Sequence, residues 1–447
     1  MNIRSLFKGR SGDLTQGGIT GPMLMFALPL AAGNLLQQFY NIADTVIVGR
    51  FVGPDALAAV GSSYTLTTFL LSIIIGLCMG SGVLFSMRFG AGDRSSLRKS
   101  VFTSFVLIGG ITVLVTAGIF AFMNPAIRLM NVPEEVFPQM RIYLLIVCAG
   151  IPMTFLYNFF AFLLRSVGNS LTPLWFLGIS VVMNIVLDLL FIPVLGMGTA
   201  GAALATVISQ GFSAVTLAWY TLKKYPGLAV RKEEMRIERK ELALISNYSF
   251  LTCLQQSVMN FGILMVQGLV NTFGTAVMAA FATAVKIDAF AYMPVQDFGN
   301  AFSTFIAQNY GAGRQDRIRK GVRSAFLCST AFALLVSVLV FVSAPVLMRL
   351  FVGNEPEVIG VGTRYLRIEG SFYIGIGWLF LFYGLFRAVG RPAFSLVLTV
   401  ISLGLRVAVA YAFAPQFGLD WIWWAIPAGW FAADAAGLWR YFALKKS

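Results

Sequence analysis

The chain of 447 residues is 58% hydrophobic and only 12% charged, which is too apolar for a soluble globular protein. Its formal net charge is +14, and it contains no histidine. The lack of histidine excludes imidazole proton relays, His-ligated zinc hydrolases and haem sites with a histidine ligand. Any proton handling inside a membrane must therefore use carboxylates, with lysine or tyrosine as accessory groups.

Apolar stretches of roughly 20 residues, the length that a helix needs to cross a bilayer, recur along the whole chain. They predict twelve helices near residues 22–49, 57–83, 100–123, 139–160, 172–194, 199–221, 242–270, 277–306, 322–346, 362–385, 394–414 and 421–442. Four prolines inside these segments are expected to bend their helices, namely Pro29, Pro152, Pro294 and Pro427. We therefore expect an all-α polytopic protein whose surroundings are a lipid bilayer.

Lysine and arginine are distributed unevenly between the predicted connections. Most of the 33 basic residues lie near residues 4–10, 88–99, 223–240, 314–323 and 440–446. The connections of opposite orientation hold Arg50, Arg128, Arg349 and Arg364. This asymmetry follows the positive-inside rule and predicts cytoplasmic termini in a multi-pass protein of the cytoplasmic (inner or plasma) membrane. The basicity is then topological, and we expect no nucleic-acid partner.

The chain repeats itself with an offset of 221 residues. Gly90-Ala91-Gly92 matches Gly311-Ala312-Gly313, and each is followed at the same distance by an Arg-Lys pair, at 98–99 and 319–320. Residues 222–241 form a charged break between the repeats. We predict an N-terminal six-helix lobe (1–221), a cytoplasmic linker (222–241) and a C-terminal six-helix lobe (242–447), related by a pseudo-two-fold axis along the membrane normal. Duplicated halves of this kind are typical of transporters.

The first predicted helix carries a polar stripe. Asn34, Gln37, Asn41 and Asp44 recur at helical spacing, with Tyr40 beside them. A polar stripe cannot face lipid, so it faces a cavity or other helices. We therefore predict that Asn34, Gln37 and Asn41 line a polar cavity.

The fifth predicted helix places Asn184 and Asp188 on one face. Asp188 is expected at a similar depth in the membrane to Asp44 of the first helix. Asp44 and Asp188 each lie shortly before the outer end of a helix that runs outward, and Thr206 is expected at a similar depth. Two carboxylates in a desolvated pocket favour exchange of protons or small cations. We predict that these groups bind the coupling ion, and that Asp44, Asp188 and Asn184 could also hold Na⁺.

The second half contains polar and charged groups that allow two interpretations. The seventh predicted helix carries amides but no carboxylate on its stripe, and Gln256 and Asn260 are predicted to line the cavity. Lys286, Asp288, Asp297, Arg406 and Asp434 also lie in predicted helices. Cross-helix charge neutralisation and substrate contact both explain these five residues. Trp421, Trp423 and Trp424 are expected to form an aromatic belt at the outer membrane interface.

The run QQFYNIADTVIVGR at residues 37–50, together with the paired Gly-Ala-Gly turns, resembles the multidrug and toxic compound extrusion (MATE) transporters. The resemblance implies antiport of an organic, often cationic drug or toxic metabolite against H⁺ or Na⁺. It also implies that Tyr40, Asp44, Asn184, Asp188 and Thr206 handle the coupling ion. Helix seven has Gln255 and Gln256 where another branch of the family has a glutamate. We therefore expect a DinF-like rather than a NorM-like member.

Two other functions compete with this interpretation. A lipid-linked oligosaccharide flippase shares the general architecture, but it needs a cationic cavity for a pyrophosphate, whereas the intramembrane charges here are mostly acidic. A membrane-embedded aspartyl protease needs a Gly-x-Gly-Asp motif, which the sequence lacks. We therefore expect a monomeric transporter of small organic molecules, which is not an enzyme and needs no cofactor.

Overall fold

The structure is helical over most of its described length. The computed structural model describes residues 12–129 and 134–446, and these ranges contain fourteen α-helices. The helices are α1 Thr20–Phe51, α2 Pro54–Gly90, α3 Arg94–Leu129, α4 Phe137–Ala149, α5 Ile151–Ser166, α6 Leu171–Leu189, α7 Gly198–Lys224, α8 Arg239–Val270, α9 Thr275–Gly311, α10 Gln315–Val352, α11 Pro356–Gly370, α12 Tyr373–Ala388, α13 Pro392–Phe417 and α14 Asp420–Lys446. The predicted all-α fold class is confirmed.

Many of these helices are long and apolar enough to cross a membrane. Within the described ranges, eight helices meet this description, and the number is ten if each of two bent helix pairs forms one span. The helices α1 and α14 are not among the ten. Both carry polar side chains at intervals, including Asp44 in α1 and Asp434 in α14. The total of twelve spans therefore stays a prediction.

Two of the predicted helices are broken. The predicted fourth helix is the pair α4 and α5, bent by 41°. Pro152 lies in the first turn of α5 and lacks an N–H, so the hydrogen-bond ladder of α4 cannot continue through it. The predicted tenth helix is the pair α11 and α12, bent by 53°. No proline marks this second break, which falls at the Gly/Ser pair Gly370–Ser371 and was not predicted.

The chain forms two compact units. Unit 1 contains residues 12–13 and 28–253, and unit 2 contains residues 14–27 and 254–446. The first residues of α1 thus belong to unit 2, and the first residues of α8 belong to unit 1. The predicted lobes at 1–221 and 242–447 describe the sequence repeat, and their two-fold relation stays a prediction.

The interior of unit 1 combines aromatic packing with close helix contacts. Phe159 meets Phe85 and Phe105 edge-on, with ring centroids 5.9 and 5.2 Å apart. Gly80 of α2 packs directly on the backbone of α8, where an added Cβ would lie 2.4 Å from the Tyr248 carbonyl oxygen. Small residues at such contacts let helices approach closely, and van der Waals packing is what associates helices in a membrane.

The segment between α7 and α8 is fastened to unit 1 by ion pairs. Arg98 of α3 donates two hydrogen bonds to Glu234, from Nε to Oε2 and from Nη2 to Oε1, both at 2.6 Å. Both side chains are buried, and the bonded guanidinium holds the pKa of Glu234 below its usual value. The next residue, Lys99, pairs with Glu238 at 2.7 Å in a more exposed position.

The segment before α1 is fastened to unit 2 by one buried arginine. Arg317 of α10 donates to the backbone carbonyl groups of Leu14, Gln16, Gly17 and Gly18 at 2.7–3.3 Å. These contacts satisfy a charge that would otherwise be costly to bury.

Trp423 is the centre of an aromatic cluster in unit 2. It stacks on Phe281 at 5.4 Å and meets Tyr365 edge-on at 4.9 Å. Its side chain is fully buried, whereas Trp421 and Trp424 are 39% and 48% exposed. The prediction that Trp423 belongs to the interfacial belt is therefore wrong. Helical spacing explains the difference, because residues 421 and 424 share a face and residue 423 lies on the opposite one.

Candidate functional site

Helix α1 contributes two of the predicted site residues. Tyr40 and Asp44 are four residues apart and therefore lie on one face of α1. The Tyr40 hydroxyl forms a hydrogen bond with Thr206 Oγ1 of α7 at 2.8 Å. Asp44 is buried, with 7% of its surface exposed. The hydrogen bond thus connects α1 to α7 one turn away from a buried carboxyl group.

Helix α6 contributes the other predicted pair. Asn184 and Asp188 are also four residues apart, and both are almost completely buried. With its amide nitrogen turned toward the carboxylate, Asn184 donates to Asp188 Oδ2 at 2.9 Å. Its oxygen then accepts the backbone N–H of Thr206 at 3.2 Å. Thr206 therefore contacts both Tyr40 and Asn184, and the structure brings all five predicted ion-site residues of unit 1 into one cluster.

Both carboxyl groups of the cluster are incompletely satisfied. Asp44 Oδ1 and Asp188 Oδ1 are buried without a hydrogen-bond partner among the described residues. The two groups are close enough to interact electrostatically. Buried polar atoms are normally paired, and two like charges repel strongly where water is excluded. Protonation of one acid, or a small cation bound by the pair, would reduce this repulsion.

Tyr143 of α4 is a member of this cluster that the sequence did not reveal. It is buried, and both Asp44 and Asp188 lie within electrostatic range of its hydroxyl group. A phenol hydroxyl can donate to a carboxylate and accept from a neighbour. The fourth predicted helix offered no polar stripe that would have distinguished Tyr143 from the other 13 tyrosines.

The predicted cavity residues are more exposed than the acids. Gln37 is exposed, and Asn34 and Asn41 are half-buried along α1. Gln256 and Asn260 lie in the part of α8 that belongs to unit 2, and both are half-buried. Their assignment to a substrate cavity stays a prediction.

Unit 2 contains a second buried acidic cluster. Asp288 of α9 accepts a hydrogen bond from the Tyr373 hydroxyl of α12. Glu369 of α11 interacts electrostatically with Asp288 and with Arg406 of α13. Both acids are buried, and Glu369 Oε2 has no hydrogen-bond partner among the described residues. From the sequence these groups were placed in separate helices, and the bend between α11 and α12, which carry Glu369 and Tyr373, was not predicted.

The remaining intramembrane charges are separate from this cluster or only partly buried. Asp434 of α14 is buried, and neither of its carboxyl oxygen atoms has a hydrogen-bond partner in the described part of the chain. Asp297 is buried and Lys286 is exposed, both in α9. Arg406 interacts electrostatically with both Asp288 and Glu369 and so offsets part of their negative charge. This agrees with cross-helix charge neutralisation, one of the two explanations that the sequence left open.

The oxygen atoms of unit 1 are the groups that could hold a coupling cation. Within residues 12–129 and 134–446, no group of three or more Asp, Glu, Cys or His side chains is arranged to hold a metal ion. Asp44, Asp188, Asn184 and Thr206 offer carboxylate, amide and hydroxyl oxygen atoms instead. Hard cations prefer such ligands, and a proton needs only one of them.

Comparison with known proteins identifies the family. The MatE family model matches residues 29–190 and 249–412, which together make up well over half of the chain. The chain belongs to the MATE family. This MATE chain matches the same model once in each half, over α1–α6 and over α8 to most of α13.

Curated relatives and solved structures agree with this assignment. The "Probable multidrug resistance protein YpnP" of Bacillus subtilis (strain 168) is 31% identical over 391 residues, which cover 87% of each chain. The "Probable multidrug resistance protein YoeA" of the same strain is 28% identical and covers 94% of this MATE chain and 92% of its own. The crystal structure of a MATE protein in complex with MaL6 has the same fold, with a TM-score of 0.91 at 24% identity and coverage of 98% and 100%.

Proposed function

We propose that this MATE transporter is a secondary antiporter that exports organic, often cationic drugs or toxic metabolites in exchange for H⁺ or Na⁺. The observation that carries the proposal is the buried pair Asp44 and Asp188, each with one unsatisfied oxygen atom. Such a pair needs a counter-charge, and an exchanged ion can supply one. The names of the two Bacillus relatives support drug resistance as the outcome of transport.

The proposed mechanism is competition between two charge states of the pair. In one conformation the coupling ion reaches Asp44 and Asp188 and neutralises them, which weakens binding of the organic cation. In the other conformation the ion leaves, and the substrate binds again from inside the cell. An antiporter needs only that the ion and the substrate bind the two conformations with different affinities. Tyr40, Asn184, Thr206 and Tyr143 hold the acids in position throughout the cycle.

The proposal includes the membrane arrangement and the branch of the family. We place the chain in the cytoplasmic membrane as a monomer with twelve spans in two six-helix lobes and both termini inside the cell. Gln255 is buried in α8 where a NorM-like member would carry an acid, which supports a DinF-like assignment. Coupling through the acids of unit 1 follows from that assignment.

A lipid-linked oligosaccharide flippase is the less favoured function. Its substrate carries a pyrophosphate, which binds to cationic side chains. Four buried carboxyl groups have at least one oxygen atom without a hydrogen-bond partner among the described residues, namely Asp44, Asp188, Glu369 and Asp434. These groups suit a positively charged substrate or ion.

The test is flux of a fluorescent organic cation in proteoliposomes, under an imposed pH gradient or an imposed Na⁺ gradient applied separately. We expect one gradient to drive transport by the unmodified protein. Asp44→Asn and Asp188→Asn should abolish gradient-driven flux while leaving insertion into the membrane intact. Glu357→Gln is the matched control, because Glu357 is an exposed acid outside the cluster. Full flux in both aspartate variants would refute the proposal.

A further inference from the structure

Unit 2 contains a cavity that the proposed transport cycle does not use. Its volume is about 420 Å³, and it lies between the beginning of α10, α12 and the end of α14. The volume falls within the range of small-molecule binding sites. Its lining combines three cationic side chains with a larger set of aromatic and aliphatic side chains.

The cationic part of the lining comes from the first three turns of α10. Arg319 and Arg323 are four residues apart and share a helix face, and Lys320 is next to them. All three are exposed. None of the nine residues that line the cavity is acidic. The site therefore presents three positive charges with no internal counter-charge.

The apolar side is a wall of aromatic and aliphatic side chains. Phe326 meets Phe382 edge-on, with ring centroids 5.1 Å apart, and Leu438 and Tyr441 complete the wall. Gly437 lets Phe382 approach α14 closely, because an added Cβ there would lie 2.8 Å from the ring. The wall continues outward to Phe442, which is 55% exposed.

The sequence repeat shows what these cations lack. Arg319 and Lys320 correspond to Arg98 and Lys99, which pair with Glu234 and Glu238 in unit 1. In unit 2 the corresponding cations form no ion pair among the described residues, and they border the cavity instead. A third cation, Arg323, stands where the first repeat has Phe102. The exposed Arg319–Lys320 pair is thus available to an anion from outside the chain.

We propose that this cavity binds an anionic phospholipid. The phosphate of the lipid would pair with Arg319, Lys320 and Arg323, as the carboxylate of Glu234 pairs with Arg98. One acyl chain would lie along the wall from Phe382 to Phe442. Charge complementarity favours an anion, and the exposed apolar edge of the wall favours one that carries a hydrocarbon chain. Basic pockets between membrane helices on the cytoplasmic side bind anionic head groups in this way.

The test is lipid binding to the full-length protein in detergent, measured by native mass spectrometry and by the thermal unfolding midpoint. The probes are dioleoyl phosphatidylglycerol, dioleoyl phosphatidylcholine and glycerol phosphate, a soluble anion without acyl chains. The unmodified protein should bind phosphatidylglycerol selectively and gain thermal stability from it. The triple variant Arg319→Gln, Lys320→Gln, Arg323→Gln should lose about tenfold or more in affinity for phosphatidylglycerol.

The matched control removes the same three charges elsewhere. Arg236→Gln, Arg239→Gln, Lys240→Gln alters two arginines and one lysine that are all exposed, and it should bind phosphatidylglycerol like the unmodified protein. Equal affinity in the cavity variant and the control would overturn the proposal. Equal binding of the two lipids, or glycerol phosphate binding as tight as that of phosphatidylglycerol, would overturn it as well.

Discussion

The pair formed by Arg98 and Glu234 makes a quantitative prediction about the segment before α8. Glu234 accepts two hydrogen bonds from the guanidinium, both at 2.6 Å, in a buried position. Glu234→Gln keeps one acceptor oxygen but removes the negative charge and one of the two bonds. A hydrogen bond to a charged group contributes about 1.5–3 kcal/mol. We therefore expect the substitution to cost about 2 kcal/mol of stability.

The assay is thermal unfolding of the purified protein in detergent, with Glu238→Gln as the matched control. Glu238 pairs with Lys99 through one bond, and its side chain is 54% exposed. Exposed ion pairs contribute little, so the control should barely change the unfolding midpoint. A double-mutant cycle with Arg98→Gln should give a coupling energy close to the cost of the single Glu234 substitution.

The stabilisation by Glu234 depends on pH in one direction. Because Arg98 holds the folded-state pKa of Glu234 below its ordinary value of 4.5, the stabilisation is fully present above that value. It is lost as the pH falls through the lower, folded-state pKa. The difference in midpoint between the unmodified protein and Glu234→Gln should thus be constant near neutral pH and shrink in acid. Additive effects of the two substitutions would contradict a direct Arg98–Glu234 interaction. A difference that does not vary between neutral and acidic pH would contradict it as well.

Three further predictions concern packing and buried hydrogen bonds. Gly80→Ala should lower the unfolding midpoint by the equivalent of about 1–3 kcal/mol, because its Cβ would collide with the α8 backbone. The control is Gly61→Ala in the same helix, whose Cβ would meet nothing within 4 Å and which should have little effect. Tyr40→Phe and Thr206→Val should each weaken gradient-driven transport, because each removes the same 2.8 Å hydrogen bond. The double variant should therefore transport no worse than the poorer single variant. Fully additive losses of transport would contradict a shared role. Tyr373→Phe removes the hydroxyl group that donates to the buried Asp288 and should destabilise the folded protein by about 1–3 kcal/mol. The control Tyr411→Phe removes a more exposed hydroxyl group and should lower the stability less. Equal unfolding midpoints for the two variants would contradict this prediction.

Spacing in the sequence was sufficient to find the acidic cluster of unit 1. The four-residue intervals in Tyr40–Asp44 and Asn184–Asp188 placed each pair on one helix face. The positions of Asp44 and Asp188 near the outer ends of their apolar segments gave the two acids similar depths in the membrane. The structure brings these groups together through Thr206. Tyr143 was not predicted as a site residue, because a single tyrosine in an apolar helix has no polar neighbour at helical spacing.

The bent segments limited the prediction elsewhere. A proline at residue 152 gives a physical reason for the break between α4 and α5. The break between α11 and α12 falls at Gly370–Ser371, a Gly/Ser pair of the kind that kinks helices, which we did not interpret as a break in the sequence. It separates the helices that carry Glu369 and Tyr373. Contacts among three or four helices depend on such bends, so the second acidic cluster could not be read from the spacing within any one helix. The burial of Trp423, by contrast, follows from helical geometry once residues 421 and 424 are assigned to the outer face.

In the proposed transport cycle, an ion at Asp44 and Asp188 competes with the organic substrate. The most direct measurement is equilibrium binding of a fluorescent organic cation to the purified protein, without any gradient, at a series of pH values and Na⁺ concentrations. We expect the affinity for the organic cation to fall as the concentration of the coupling ion rises. Asp44→Asn and Asp188→Asn should abolish this dependence. Aspartate variants that keep the same dependence on pH and Na⁺ as the unmodified protein would contradict this expectation.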